Sequence, residues 1–345
     1  MERAIVKTKR GESAGRLLMK LDQIGIRARI AKEEPEAILL AEGEIDETSI
    51  KTMPEVDQVT KVKLPFSLAS REWHKKDSVV NIAPGISVGG GNVLIIAGPC
   101  AVEGKEQIVK TAQSVKRSGA LALRGGAYKP RTNPYTFQGL GIEGLALLAE
   151  AKKISGLPIV TEIMTPEDID FMLPHTDILQ VGSRNMQNFS LLKALGKVDK
   201  PVLLKRGMMA TIDEWLQAAE YIMAGGNFNV ILCERGIRSF EKRTRNTLDL
   251  NAVPLVKSLS HLPVIVDPSH GTGKSELVPS MSLAALAAGA DGLIVEVHPN
   301  PEEAVSDGDQ SLDLEEFDKL MKSIKRLLSV MPEKTLEGSK CSVAA

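Results

Sequence analysis

The stretch VLIIAG at residues 93–98 is apolar throughout, and so are seven more short runs downstream: ALALRGG (120–126), PIVTEI (158–163), ILQVGS (178–183), PVLLKRG (201–207), VILCERG (230–236), PVIVDPS (263–269) and GLIVEVH (292–298). None alternates between apolar and polar residues, the signature of strands buried on both faces in a parallel sheet covered by helices. Longer helical stretches such as GIEGLALLAEAKKIS (141–155) and TIDEWLQAAEYIMAGG (211–226) lie between them. Eight such units in 92–332 close most simply into a (β/α)8 barrel of the TIM type, an α/β fold. An open doubly wound sheet would show G-x-G-x-x-G after its first strand, where this chain has AGPCAVEG.

Barrels of this kind carry their chemistry at the C-terminal ends of the strands. Those ends hold Cys100, Arg124 with Lys129, Glu162, Arg184, Lys205 with Arg206, Glu234 with Arg235, His270 and Glu296. Four strand ends contribute the five cations Arg124, Lys129, Arg184, Lys205 and Arg235, an assembly suited to a ligand with more than one anionic group, since guanidinium forks and ammonium charges both take phosphate and carboxylate oxygens. The competing reading pairs each cation with a neighbouring carboxylate such as Glu162 or Glu234. Closure would also make the first, seventh and eighth strands neighbours, gathering Cys100, His270, Glu296 and the nearby Asp307. A thiolate, an imidazole and two carboxylates can hold a divalent ion such as Mn, Fe, Co or Zn. As a linear pattern this set is weak, and it rests on barrel closure. PSHGTGK (268–274) reads as a polar loop, and its GTGK lacks the spacing of a nucleotide-binding phosphate loop. Cys233 reads as core and Cys341 as part of a polar tail; His74, His175 and His261 lie in connectors or near helix ends, and His298 stands just behind the metal candidates.

Working outward, residues 1–66 follow a different pattern. AIVKTK (4–9), RARIAKE (27–33), EAILLAEG (36–43) and DQVTKVKLP (57–65) read as strands, and ESAGRLLMKLDQIG (12–25) and DETSIKTMPEV (46–56) as helices. The order βαββαβ fits a small ferredoxin-like domain, either a regulatory unit or a plain appendage. Residues 67–91 form a linker, and VVNIAPGISVGGG (79–91) suggests a hairpin plugging the closed end of the barrel. Residues 333–345 read as a flexible tail. A net charge of −1 and 3% aromatic residues exclude a surface built for nucleic acid or anionic membrane. No run reaches the length of a membrane span and the N-terminus is charged where a signal peptide would be apolar, so the expected location is cytoplasmic, as the three unpaired cysteines also suggest.

IIAGPCAVEG (95–104), LRGGAYKPRTNPYTFQGLG (123–141), QVGSRNMQNFSLL (180–192), LLKRGM (203–208), CERGIRSFE (233–241), VDPSHGTGK (266–274) and EVHPNPEEAVSDGDQSL (296–312) together resemble the 3-deoxy-D-arabino-heptulosonate 7-phosphate (DAHP) synthases of the shorter microbial barrel type. The resemblance is similar in kind to a subgroup with an N-terminal ferredoxin-like regulatory domain. It implies a transferase joining phosphoenolpyruvate to erythrose 4-phosphate at the start of the shikimate route to aromatic amino acids. It implies Cys100, His270, Glu296 and Asp307 as ligands of a divalent metal, and Arg124, Lys129, Arg184, Lys205 and Arg235 around phosphoenolpyruvate. Pro130, Arg131 and Thr132, with Arg238 and Ser239, would bind erythrose 4-phosphate; Glu162 would sit near the reacting double bond and its water, and Lys129 would donate a proton. An aromatic amino-acid effector at the N-terminal domain and a homotetramer are implied as partners. The alternatives are 3-deoxy-D-manno-octulosonate 8-phosphate synthase, which takes arabinose 5-phosphate, a Schiff-base aldolase acting through Lys205, and an inactive barrel carrying a metabolite sensor.

Overall fold

The computed structural model describes residues 2–130 and 133–336. The chain opens with β1 (Glu2–Thr8), α1 (Ala14–Gln23), β2 (Arg27–Lys32), β3 (Ile38–Gly43), α2 (Glu47–Lys51) and β4 (Val56–Val62). These strands form an antiparallel sheet in the order β2-β3-β1-β4. Ser13 and Asp46 start the two helices by accepting the backbone N–H groups of Arg16 and Thr48, which satisfies donors that a first helical turn leaves open. One face of the sheet, with Ala4, Val6, Leu39 and Ala41, packs under Leu17, Leu21 and Ile50 of the helices. The other face, with Ile5, Ala31, Ile38, Leu40 and Val62, joins the apolar layer that surrounds the barrel.

The connector that follows is tied down at several points. The carboxylate of Glu220 accepts the backbone N–H groups of Leu68 and Ala69 at 2.8 and 3.0 Å. Trp73 Nε1 donates to Leu68 O at 2.8 Å. Next comes the hairpin β5 (Val80–Ala83) and β6 (Ile86–Val88). Val80 and Val88 lie in one cluster with Leu94, Ile96, Val160, Leu203, Ile231, Ile265 and Ile294. These are the inward-facing side chains of the barrel, so the hairpin does close its lower end.

The barrel comprises β7 (Asn92–Gly98), α3 (Lys105–Ser118), β8 (Ala122–Arg124), α4 (Ile142–Ser155), β9 (Ile159–Ile163), α5 (Ile169–Met172), β10 (Ile178–Val181), α6 (Phe189–Leu195), β11 (Val202–Lys205), α7 (Ile212–Met223), β12 (Val230–Glu234), α8 (Ala252–Leu259), β13 (Val264–Val266), α9 (Pro268–Thr272), α10 (Val278–Ala287), β14 (Gly292–Glu296) and α11 (Leu314–Leu328). Its eight strands pair in parallel from β7 to β14, and β14 pairs back onto β7 with Glu296 opposite Gly98. Aliphatic side chains fill the inside and a second layer fills the space beneath the helices, which is why the strands read as unbroken apolar runs. Residues 333–336, expected to belong to a flexible tail, pack against the barrel. Lys334 pairs with Asp291 at 2.8 Å, and β15 (Thr335–Leu336) lies parallel to the start of β7; the rest of the tail, with Cys341, lies outside the described residues. Among the described residues no helix is long and apolar enough to cross a membrane.

Candidate active site

The strand ends meet in a cleft of about 380 Å³. Arg124, Lys129, Pro130, Glu162, Arg184, Lys205, Arg235, Arg238, His270 and Asp307 all line it. Cys100 and Glu296 lie directly behind that lining, buried. Ser239 does not line the cleft: its hydroxyl is exposed and hydrogen-bonded to that of Thr247 at 2.6 Å. Arg131 and Thr132 lie outside the described residues.

Donor atoms of Cys100, Glu296 and Asp307 lie within 4.8 Å of one another. Cys100 Sγ is 3.1 Å from Asp307 Oδ2. His270 Nε2 lies 3.5 Å from Glu296 Oε1 and 4.0 Å from Asp307 Oδ2. Cys100, Glu296 and Asp307 thus form the close group and His270 stands beside its two carboxylates; sulfur, imidazole and carboxylate donors of this kind suit a first-row divalent ion. Burial, aided by the charge of Glu296, pushes the Cys100 thiol up to about 12. Burial pushes His270 down to about 4 against the pull of Asp267 and Glu296, which leaves a neutral imidazole at pH 7, the form that can ligate. Asp307 sits in left-handed backbone at φ 56° and ψ 37°, a conformation Asp tolerates better than most residues and one that collects at functional sites.

The cations do not stand in one uniform ring. Arg124 Nη2 donates to Glu296 Oε1 at 2.9 Å, and its buried Nη1 makes no hydrogen bond among the described residues. Lys205 Nζ donates to Asp267 Oδ2 at 2.5 Å. Arg206 turns away from the cleft into a buried pair with Glu234 and Asp249, both at 2.9 Å. Arg235 Nη1 donates to Gly236 O, and burial lowers its pKa. Lys129 Nζ donates to Cys100 O at 3.0 Å. Burial works against its charged form, but the surrounding Cys100, Glu162 and Glu296 hold its pKa above the ordinary value. Glu162 accepts from Gln180 Nε2 at 3.3 Å, and Gly182 leaves room for it, since a Cβ there would fall 2.0 Å from Glu162 Oε1.

Several residues of this site were not singled out in the sequence. Asp267 lies just past β13 and caps α9, a short helix where a polar loop was expected; Pro268 in its first turn and the Asp267 carboxylate on the His270 N–H are the local causes. An aspartate three positions before the candidate ligand was the available signal. Arg245 lines the cleft and pairs with Asp307 Oδ1 at 3.2 Å. Gln310 links the two sides, accepting from Arg245 at 2.7 Å and donating to Glu296 at 2.5 Å. Nothing in the cation-dense EKRTRNT stretch sets Arg245 apart from its neighbours.

The comparisons with known proteins agree with this geometry. A phospho-2-dehydro-3-deoxyheptonate aldolase of Thermotoga maritima is 52% identical over 276 residues, 80% of this chain and 81% of that one. A 2-dehydro-3-deoxyphosphooctonate aldolase of Geobacter sp. (strain M21) is 31% identical over 266 residues, 72% of this chain and 96% of that one. The crystal structure of the Thermotoga maritima DAHP synthase superposes with a TM-score of 0.78 at 44% identity, covering 97% of this chain and 99% of that one. A truncated form of the Thermotoga maritima enzyme gives 0.72 at 49% identity, over 77% and 98% of the two chains. The model of the DAHP synthetase I family matches residues 67–330, the whole of the barrel with its connector, and the chain belongs to that family.

Proposed function

We propose that this chain is a DAHP synthase, condensing phosphoenolpyruvate with erythrose 4-phosphate and water to give 3-deoxy-D-arabino-heptulosonate 7-phosphate and phosphate. The observation that carries this reading is a cleft in which the clustered donors of Cys100, Glu296 and Asp307, with His270 beside the two carboxylates, adjoin converging guanidinium and ammonium groups, in a chain 52% identical to a phospho-2-dehydro-3-deoxyheptonate aldolase. Cys100, His270, Glu296 and Asp307 would hold a divalent ion, whose Lewis acidity would serve the aldehyde carbonyl. Arg124, Lys129, Arg184, Lys205 and Arg235 take the phosphate and carboxylate of phosphoenolpyruvate; the orphaned Nη1 of Arg124 is a donor ready for an anionic oxygen. Held in this way, C3 of phosphoenolpyruvate attacks the aldehyde carbon, water adds at C2, and the hemiketal loses phosphate. Lys129 gives a proton to the former aldehyde oxygen, a role its raised pKa supports, since the proton is present at neutral pH. Glu162 sits by the water. Fixed cations that hold two polyanions together lower the barrier by proximity and preorganisation, with no rearrangement needed during reaction.

Pro130 and Arg238 line the cleft and are assigned to erythrose 4-phosphate together with Arg131 and Thr132. Ser239, bonded to Thr247, reaches that end only if its loop turns inward on binding. The octulosonate reading is less favoured because the aldolases of that activity are about 31% identical to this chain. A Schiff-base mechanism is disfavoured because Lys205 donates to Asp267 instead of standing in the apolar cage such an amine requires. The N-terminal unit is read as ferredoxin-like, on its βαββαβ element order and its sheet order β2-β3-β1-β4, and as the seat of an aromatic amino-acid effector in a homotetramer. The purified chain, assayed with each aldehyde, is expected to turn over erythrose 4-phosphate, to stop with a chelator and to recover with added divalent ion. Preferential turnover of arabinose 5-phosphate would overturn the assignment.

A further inference from the structure

We propose that Asp267 is a positioning residue serving both halves of the site, one carboxylate that sets the tautomer of His270 and anchors the ammonium of Lys205. The inference rests on the metal reading of the cluster given above and goes beyond it. Asp267 is fully buried, and its backbone N–H donates to Glu234 O at 2.7 Å. Its Oδ1 accepts the backbone N–H of His270 at 2.9 Å, which fixes the carboxylate against rotation. Its Oδ2 lies 2.8 Å from His270 Nδ1 and 2.5 Å from Lys205 Nζ.

The donor and acceptor inventory then leaves one arrangement. An ionised carboxylate offers only acceptors, so the ring nitrogen facing it must carry the hydrogen, and a neutral imidazole has only one. Nε2 is left with its lone pair, and that is the nitrogen turned toward Glu296 and Asp307. With the opposite tautomer, two lone pairs would face each other at Asp267 and the metal-facing nitrogen would be capped by hydrogen. Carboxylate partners of ligating histidines act in this way in metal sites. The additional feature is that the same oxygen holds the lysine assigned to phosphoenolpyruvate.

The test begins with the metal-free wild-type chain labelled with ¹⁵N-histidine, the His270 signals being identified by their loss in His270→Gln. Protonated Nδ1 and bare Nε2 are expected; a hydrogen on Nε2 overturns the proposal. Asp267→Asn keeps the shape, but Lys205 claims its one oxygen and its NH2 faces the ring. That variant should switch to the Nε2–H tautomer and bind Mn²⁺ about 10- to 100-fold more weakly. Its metal-free form should also bind phosphoenolpyruvate several-fold more weakly. A folded variant, checked by circular dichroism, that keeps the wild-type tautomer and Mn²⁺ affinity refutes the histidine role, and unchanged phosphoenolpyruvate affinity refutes the lysine role. Should Asp267→Asn fail to fold, the wild-type tautomer alone decides. A wild-type chain that binds no Mn²⁺ sinks the metal reading itself, whereas binding indifferent to Asp267 sinks only this inference.

Discussion

Arg124, at the end of the second barrel strand, donates from Nη2 to Glu296 Oε1, at the end of the eighth, across 2.9 Å. Both side chains are buried, at 5% and 0% exposure, so the pair ties the cation-lined side of the cleft to the side that holds Cys100 and Asp307. A buried charge that loses its partner costs far more than an exposed pair contributes.

Arg124→Met is therefore expected to damage both stability and catalysis. It leaves Glu296 without its cation, which costs about 3–5 kcal/mol, and it removes the donor assigned to phosphoenolpyruvate. Arg124→Lys keeps the charge without the fork; it should recover most of the stability while KM for phosphoenolpyruvate stays raised. Denaturant titration and steady-state kinetics on the two variants separate the effects. A Lys variant with wild-type KM would remove Arg124 from the substrate site.

Cys100→Ala should strip metal and activity together and spare the fold. Sγ is one of the donors clustered with Glu296 and Asp307. Activity is expected to fall by more than about 100-fold, exceeding the effect of a residue that only supports a ligand, with a stability loss of about 1 kcal/mol. Metal content of the purified variant and its thermal melt provide the check; metal-dependent turnover near the wild-type rate would count against Cys100 as a ligand.

Gly182→Ala probes Glu162 without touching it. The backbone at Gly182 is ordinary, with φ −67°, so alanine brings no conformational strain. Its methyl group would, however, meet Glu162 Oε1 at 2.0 Å, and that carboxylate must move. A fall in kcat of about 10- to 100-fold with little change in melting temperature is expected for a displaced catalytic group. Unchanged kcat would mean that Glu162 acts from another position or has no part in the reaction.

His261 should make the chain sensitive to acid. It is buried, with Nδ1 2.7 Å from Ser78 Oγ and Nε2 2.8 Å from Leu68 O, and burial lowers its pKa from 6.5 to about 3. Between those values the unfolded chain takes up a proton that the folded chain refuses. Stability from this residue is thus complete above pH 6.5 and declines as the pH falls toward 3. From pH 7 to pH 5 the loss amounts to about 2 kcal/mol. His261→Gln should flatten the slope of stability against pH over that interval, read from urea midpoints.

The barrel was legible because its strands carry no alternation: β11 and β12, for example, are buried at every position, and their sequences are correspondingly apolar up to the functional residue. Strand ends marked the candidate residues, and in the closed barrel Cys100 lies beside Glu296 and Asp307. Pairings between side chains were harder to read. Whether Lys205 meets an anion or a substrate depends on Asp267, 62 positions away in the chain, and no local pattern encodes that distance. DPSHG reads as a loop by composition, yet proline in the first turn and an aspartate cap make it helical. Arg245 and Gln310 matter through what they touch, and a single sequence carries no trace of such contacts.

Both faces of the N-terminal sheet carry buried apolar side chains. Val6 and Leu39 lie against its own helices, while Ile5, Ile38 and Leu40 merge with the apolar layer of the barrel. Peeling this lobe away would leave an oily patch on each fragment. A barrel expressed alone would thus need a fresh cover for that surface, whether from a neighbouring copy or from its own loops, before it could behave as the intact chain does.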